Sequence, residues 1–319
     1  MTRAVVGLII LLGSAVAAAQ RPSDPALLVP ETAPELGYVL APDAFSLPDG
    51  MMMGAPASVA FDADGHLFVL TRGEKTFFEF GADGEFIRAF GDKLFVRSHG
   101  LHIDGDGNLW ATDVSGHVVV KMDRDGNPLL TLGTAGEAGE WNEATGSHRL
   151  NQPNDVTVAA NGDIFVVQGH RPGMEGDARV LKFASDGRFI TSWGGKGTRP
   201  GQFQVAHGIE IDAAGQLWVS DRENQRVQIF RPDGTFVREM RYKGLPCDVV
   251  IGSEYAYMVN GFAGQILQLD LNGRVLAALG RPGDGPGEFG EAHMIAVNDR
   301  DEIYVADSVN AALMKFVRR

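Results

Sequence analysis

The stretch HGLHIDGDGNLWATDVSGHVVVKMDRDGNPLLTLG, residues 99–133, contains four short segments in which apolar and polar residues alternate. Asp-Gly pairs separate the first segment from the second and the third from the fourth. Alternating segments joined by Asp-Gly turns are typical of β-hairpins. The stretch therefore predicts a four-stranded antiparallel meander. It opens on His99, a residue that such a strand does not require.

The same pattern occurs in five further copies along the chain. Together with residues 99–133, the copies begin near residues 57, 99, 154, 207, 247 and 293. Four-stranded repeats of roughly 40–55 residues are typical of the blades of a β-propeller. We therefore predict an all-β fold, a six-bladed β-propeller that spans residues 36–319.

The two ends of the chain predict how the ring closes. The last copy ends after its third strand, near Phe316, while residues 36–47, LGYVLAPDAFSL, have the character of an unpaired strand. Pairing this segment with the last copy would complete the blade and cover an edge that favours aggregation when exposed. Residues 20–35 contain four prolines and predict an extended lead-in.

The first 19 residues resemble a secretory signal. Arg3 precedes the apolar run AVVGLIILLGSAV, and the small-residue stretch AAAQ follows it. This order is typical of a signal peptide with cleavage near Ala19. We therefore expect export to the periplasm or the medium and no membrane association after cleavage. The single cysteine, Cys247, excludes a disulfide within the chain.

The charge of the chain limits its partners. It has 41 acidic residues against 28 lysines and arginines, a formal net charge of −13. Nucleic acids and anionic membrane surfaces would be repelled by this field. We therefore expect no nucleic-acid partner. We also expect a monomer.

Three histidines occupy one repeat position in alternate copies. His99, His207 and His293 open copies two, four and six, whereas the other copies have Ala57, Asn154 and Cys247 there. Inner strands of a propeller line its central channel, and alternate blades of six lie about 120° apart, so the three imidazoles should converge. Three histidine ligands with an open position are typical of catalytic zinc sites. A merely polar channel lining is the alternative for each of them.

Three segments carry a resemblance to a known family. They are SHGLHIDGDGNLWATDVSGHVVVKMD (98–123), VAHGIEIDAAGQLWVSDRENQRVQIF (205–230) and EAHMIAVNDRDEIYVADSVNAALMKF (291–316). Together they resemble the peptidyl-α-hydroxyglycine α-amidating lyases, which are NHL-repeat propellers. The resemblance implies zinc, or another divalent transition metal, bound by His99, His207 and His293. It also implies two arginines near the metal, Arg72 and Arg222, and guanidinium groups suit a substrate carboxylate. An exposed loop arginine that pairs with Glu74 or Glu223 is the alternative for each of them.

The chain departs from this family at three positions. His170 stands where the family has its catalytic tyrosine. Imidazole can serve as a general base, so His170 is the candidate base, and its pKa is expected at about 6–7; a plain loop histidine is the alternative. Glu291 replaces a methionine, and Met294 replaces a calcium-binding aspartate, which puts a structural calcium in doubt.

The resemblance implies a metal-dependent lyase that cleaves an N-acyl-α-hydroxyglycine into an amide and glyoxylate. The partner that it implies is a small molecule or the C-terminus of a peptide. Two other classes stay open. A non-catalytic NHL propeller would use the ring as a binding platform and would need no metal. A lactonase-like hydrolase would bind calcium through oxygen ligands, which Asn154, Asp155 and Asp248 could supply in part.

Overall fold

The Asp-Gly turns of the repeats join strands into six antiparallel sheets of four strands each. The computed structural model describes residues 21–170 and 178–319. In blades 1 to 5, strand order follows chain order from the innermost strand outwards. The innermost strands of neighbouring blades contact each other around the whole ring, the first contacting the last. This arrangement confirms the predicted six-bladed β-propeller.

Each blade runs from an inner strand at the channel to an outer strand at the rim. Blades 1 to 3 are, in that order, Pro56–Phe61, Leu67–Thr71, Lys75–Phe80 and Phe86–Asp92; Ser98–Ile103, Leu109–Asp113, Val118–Met122 and Pro128–Leu132; and Pro153–Val158, Ile164–Gln168, Arg179–Phe183 and Phe189–Gly194. Blades 4 to 6 are Ala206–Ile211, Leu217–Asp221, Arg226–Phe230 and Phe236–Arg241; Pro246–Ile251, Ala256–Asn260, Gln265–Leu269 and Val275–Leu279; and Ala292–Val297, Ile303–Asp307, Ala312–Arg318 and Tyr38–Leu40. Short 3-10 helices are Pro25–Leu28, Arg222–Asn224 and Gly261–Ala263, and a small hairpin joins Trp141–Asn142 to Ser147–His148.

The N-terminal strand closes the ring as the sequence predicts. Tyr38 pairs with Arg318 and Leu40 pairs with Phe316, so this strand is the outer edge of blade 6. It is shorter than the predicted segment 36–47. The lead-in is not extended throughout, because Pro25–Leu28 forms a 3-10 turn whose start is capped by Asp24. The predicted signal segment, residues 1–19, lies outside the described residues.

The hydrophobic core consists of six apolar clusters between neighbouring blades. Successive side chains of a strand point to opposite faces of its sheet, so adjacent residues belong to different clusters. Phe77 packs with Leu101 between blades 1 and 2, while Phe78 packs with Met294 between blades 6 and 1. The apolar residues thus fix the blades around the channel, and the polar residues of the inner strands line it.

Candidate metal centre

The structure brings His99, His207 and His293 together on the axis of the ring. Each is the second residue of the inner strand of its blade and is at most 1% exposed. Their ring centroids are 4.6 to 5.1 Å apart, and their candidate ligand atoms lie within 4.8 Å of one another. The repeat position and the six-fold ring are sufficient to produce this convergence.

Backbone carbonyls orient all three imidazoles in the same way. The Nδ1 of His99 donates to Asn154 O at 2.8 Å, that of His207 to Cys247 O at 3.0 Å, and that of His293 to Ala57 O at 2.7 Å. Each acceptor is the residue at the histidine position of the next blade. A carbonyl oxygen only accepts, so the proton of each ring is on Nδ1 and the lone pair is on Nε2. Metal-binding histidines typically donate their other N–H in this way.

The Nε2 atoms lack the partners that neutral imidazoles need. The Nε2 of His207 is buried and has no hydrogen-bond partner among the described residues. Those of His293 and His99 face each other at 3.2 Å, although each carries a lone pair. Two nitrogen ligands of a tetrahedral zinc with bonds of 2.0–2.1 Å are about 3.3 Å apart. The donor set and its spacing therefore fit a divalent transition metal.

The electrostatic surroundings keep the imidazoles neutral. Burial lowers the pKa of all three histidines well below the ordinary value, and the neighbouring histidines and arginines lower it further. Neutral imidazole is the form that binds a metal ion. A proton added to any of these rings would create a positive charge close to other positive groups, which is unfavourable.

Glycines let neighbouring blades approach closely enough to supply the carbonyl acceptors. Gly100 follows His99, and a Cβ atom there would lie 2.6 Å from Asn154 O. Gly208 follows His207, and a Cβ atom there would lie 2.7 Å from Cys247 O. The His-Gly pairs of blades 2 and 4 thus combine a ligand with the space that its orienting carbonyl requires.

His170 lies beside the three-histidine centre. It is 8% exposed, its ring centroid is 4.7 Å from that of His99, and its Nδ1 donates to Asn154 Oδ1 at 2.8 Å. Burial lowers the pKa of His170 well below its ordinary value of 6.5, and the charges of Arg222 and Arg97 lower it further. The sequence-based expectation of about 6–7 is therefore too high, because it took no account of burial.

The two candidate arginines differ in their surroundings. The Nε of Arg72 donates to Ser98 O at 3.1 Å, and among the described residues Arg72 has no salt bridge. Burial and the charge of Arg97 lower the pKa of Arg72 to about 10. Glu74 forms a salt bridge with Lys93 at 2.9 Å and none with Arg72. Arg72 is therefore a cation beside the centre that forms no salt bridge within residues 21–170 and 178–319, while the charge of Glu291 favours its charged form.

Arg222, in contrast, is paired with acids. Its Nε and one terminal nitrogen donate to Glu223 Oε1 at 3.0 and 2.7 Å, and its other terminal nitrogen lies 3.8 Å from Glu291. Burial alone would lower the pKa of Arg222, but the Glu223 carboxylate raises it above the ordinary value. Glu291 is buried and also accepts a hydrogen bond from Ser308 Oγ at 2.5 Å.

Sequence reasoning missed two groups of the site. Arg97 immediately precedes the strand of His99, and its charge lowers the pKa of Arg72 and His170. The amide of Asn154 binds His170, although the sequence suggested Asn154 only as an oxygen ligand. The position of Arg97 next to the first histidine was the only signal for it, and no sequence signal pairs Asn154 with His170.

The residues present do not fit the calcium ligands that the family resemblance implies. Met294 is 1% exposed and packs in the apolar cluster with Val59 and Ala306. Calcium requires oxygen ligands, which a thioether does not supply. Asp155 and Asp248 are the acids that a lactonase-like calcium site could use. Their carboxylates accept hydrogen bonds from the backbone N–H groups of Ile209 and Ile295 in the following blades.

Below the histidines, the channel is acidic. Its cavity of 240 Å³ is lined by His102, Asp155, Glu210 and Asp248 together with apolar side chains. Burial raises the pKa of Glu210 to about 8, and the nearby Asp248 contributes to the shift. Burial also raises the pKa values of Asp155 and Asp248. The folded protein therefore binds protons that the unfolded chain has lost at neutral pH.

Replacing Glu210 with Gln should stabilise the protein more at high pH than at low pH. In the unfolded chain Glu210 loses its proton near pH 4.5, whereas in the folded protein it keeps it to about pH 8. Its contribution to stability is therefore complete below pH 4.5 and is lost as pH rises through 8. We expect the melting temperature of Glu210→Gln to exceed that of the wild type by a margin of a few degrees that grows between pH 5 and about 9.

The comparison uses metal-free protein, so that only the channel carboxyls and the fold are compared. Glu85→Gln, in an exposed turn of blade 1, is the control for the amide substitution itself. If the melting temperatures of Glu210→Gln and the wild type differ by the same amount at pH 5 and at about pH 9, Glu210 is not protonated in the folded channel.

The fold and its axis define a six-bladed β-propeller with three converging histidines. Several known proteins have similar sequences. Residues 203–230 match the NHL repeat family. A peptidylglycine alpha-amidating monooxygenase of Rattus norvegicus is 37% identical over 192 residues, 56% of this chain and 18% of that protein. A peptidyl-alpha-hydroxyglycine alpha-amidating lyase of Drosophila melanogaster is 30% identical over 276 residues, 75% of this chain and 48% of that protein.

Two further proteins show how widely this architecture is used. NHL repeat-containing protein 3 of Mus musculus is 32% identical over 192 residues, 56% of this chain and 53% of that protein. A gluconolactonase of Xanthomonas campestris has a TM-score of 0.62 at 17% identity, covering 94% of this chain and 99% of that one. The second likeness concerns the fold alone.

The chain is thus a six-bladed propeller that contains an NHL repeat and is similar in sequence to peptidyl-α-hydroxyglycine α-amidating lyases, which confirms the resemblance seen in the sequence. It spans between 18% and 53% of the length of these relatives from rat, fly and mouse. Within residues 21–170 and 178–319, no helix has the length and apolar character needed to cross a membrane.

Proposed function

We propose that this protein is a zinc-dependent carbon–nitrogen lyase that cleaves an N-acyl-α-hydroxyglycine into an amide and glyoxylate. The observation that carries the proposal is the set of three buried imidazoles whose Nε2 lone pairs converge while their Nδ1 atoms donate to carbonyls. The relatives named as amidating enzymes support the same reaction. Zinc, or a neighbouring divalent transition metal, suits three nitrogen ligands better than calcium does.

His99, His207 and His293 would hold the metal. When bound, a divalent ion polarises the substrate oxygen and makes its hydroxyl proton easier to remove. The carbonyls of Asn154, Cys247 and Ala57 keep the three rings from turning. Their orientation therefore costs no rearrangement when substrate binds.

Arg72 would bind the substrate carboxylate. It carries a positive charge beside the centre and forms no salt bridge with the described residues, although the charge of Glu291 favours its charged form. A guanidinium group forms paired hydrogen bonds with a carboxylate, which orients the substrate as well as holding it. Arg222 is shared between Glu223 and Glu291, so its charge is already partly balanced before substrate enters.

His170 would act as the general base. With its proton on Nδ1, its Nε2 can take the hydroxyl proton of the substrate. The oxygen electron pair then forms the carbonyl of glyoxylate as the bond between nitrogen and Cα breaks. The electrons of that bond remain on the amide nitrogen, which receives the proton back from the imidazolium. The reaction needs no oxidant and no further reactant.

Export to the periplasm or the medium is part of the same proposal. The order of charged, apolar and small residues over positions 1–19 supports it. A substrate with a free C-terminal carboxylate, either a peptide or a small N-acylated compound, would then meet the enzyme outside the cytoplasm.

The direct test measures both products from zinc-loaded protein and a synthetic N-acyl-α-hydroxyglycine. Amide and glyoxylate should form in equal amounts, and Arg72→Met should raise KM by about tenfold or more, since one charged hydrogen-bonded contact is lost. The same change at Arg231, in an exposed turn of blade 4, is the matched control and should leave KM unchanged. Zinc-loaded protein that forms neither product would contradict the lyase proposal and would favour the binding platform.

A further inference from the structure

Asn154 occupies the histidine position of blade 3. It is the second residue of the inner strand Pro153–Val158 and is fully buried. The same position holds Ala57 in blade 1 and Cys247 in blade 5. All three of these residues offer a backbone carbonyl to a histidine of the preceding blade. The side chain of Asn154 is therefore not required for that shared role.

Every polar atom of the Asn154 side chain has a partner. Its Nδ2 donates to Ala206 O at 2.7 Å, and its Oδ1 accepts from His170 Nδ1 at 2.8 Å. Since Ala206 O can only accept, the amide cannot be turned without placing two acceptors together. The orientation of the amide therefore fixes the proton of His170 on Nδ1 and leaves its Nε2 as a proton acceptor.

The backbone of the same residue reaches the metal centre. Asn154 O accepts from His99 Nδ1 and from Thr112 Oγ1, both at 2.8 Å. One residue thus orients a proposed metal ligand through its carbonyl and the proposed base through its amide. Blade 3 alone combines a polar side chain at this position with a histidine at the exit of its second strand.

We propose that Asn154 is a positioning residue for His170: its amide selects the tautomer in which Nε2 takes the substrate proton and holds the ring beside His99. The inference rests on the proposed function for its catalytic consequence. The tautomer itself is a property of the free protein and can be measured without substrate.

The first measurement is the tautomer of His170, read from ¹⁵N chemical shifts of histidine-labelled, zinc-loaded protein at neutral pH, with His170→Ala used to assign the signal. We expect the wild type to contain only the Nδ1–H form and Asn154→Ala to contain a mixture. Asn154→Asp should retain the Nδ1–H form, because a carboxylate oxygen still accepts that proton. A wild-type signal of the Nε2–H form, or an unchanged signal in Asn154→Ala, would overturn the inference whether or not the protein is a lyase.

The second measurement is a double-mutant cycle on glyoxylate release. Asn154→Ala should lower kcat by about 10–100-fold, the usual cost of losing a residue that orients a catalytic or metal-binding group, with KM and zinc content unchanged. In a His170→Ala background the same change should have no further effect, since the two residues act as one unit. Val156→Ala, a buried truncation in the same strand, is the control for lost packing.

The outcomes of the cycle separate the inference from the proposed function. If the reductions in kcat of the two single variants multiply in the double variant, Asn154 does not act through His170. A loss of zinc from Asn154→Ala would likewise overturn the positioning role. Absence of product from the wild type would contradict the proposed reaction, and the tautomer measurement would then decide the inference alone.

Discussion

Replacing His207 with Ala should abolish tight zinc binding. His207 Nε2 is a buried nitrogen with no hydrogen-bond partner in the part of the chain that the structure describes, and the other two histidines cannot enclose an ion without it. The wild type should retain about one zinc per chain through extended dialysis, and the variant should retain close to none. Because a ligand that binds only the folded state stabilises it, added zinc should raise the melting temperature of the wild type and not that of the variant.

The change in melting temperature separates loss of the metal from loss of the fold. At free zinc about 100 times above Kd, the wild type should gain about 2.7 kcal/mol of stability. His207→Gln preserves most of the side-chain volume and tests the same loss with a smaller cavity. His148→Ala, on the exposed connection between blades 2 and 3, is the control and should keep its zinc. Normal zinc content in His207→Ala would rule out the three-histidine centre.

Replacing His170 with Ala should lower kcat by about two to four orders of magnitude, the usual contribution of a general base. The zinc content should not change, because the three axial histidines form their close group without His170. His170→Tyr, which restores the residue type of the related family, should recover part of the activity. Full activity of His170→Ala would place the base elsewhere in the pocket.

The pH profile of the wild type is a separate test of His170. Burial and the charges of Arg222 and Arg97 lower its pKa, so its proton-accepting form should persist below the ordinary value of 6.5. The value of kcat/KM should therefore be nearly constant above that pH and should fall only in more acidic solution. The pH dependence of kcat reports the pKa of His170 in the enzyme–substrate complex. The substrate carboxylate bound at Arg72 adds negative charge and should raise that pKa. Activity that rises through a phenol-like pKa near 10 would contradict an imidazole base.

The sequence could predict the ring and its histidines because both follow from periodicity. Six copies with Asp-Gly turns specify blades, and a residue at one position of alternate copies must recur at alternate points around the axis. The inner strands begin at Pro56, Ser98, Pro153, Ala206, Pro246 and Ala292, one residue before the predicted copies. The residue that opens each predicted copy is therefore the second residue of an inner strand.

The partner of each charged side chain could not be predicted in the same way. Arg72 and Arg222 have equivalent places after the second strands of blades 1 and 4, and both are followed within two residues by a glutamate. Only the folded loops show that Arg222 binds Glu223 and that Glu74 binds Lys93 instead. The lowered pKa of His170 likewise depends on burial and on arginines from other blades. Such effects arise from tertiary packing, which repeat patterns do not encode.

One divalent transition metal should lie on the axis, held by the three imidazoles. Anomalous diffraction from crystals of the zinc-loaded protein, collected above and below the zinc absorption edge, locates such an ion directly. We expect a single strong difference peak within about 2.0–2.1 Å of the Nε2 atoms of His99, His207 and His293. A map without a peak there, or with zinc only at other positions, would rule out a metal ion bound by the three axial histidines.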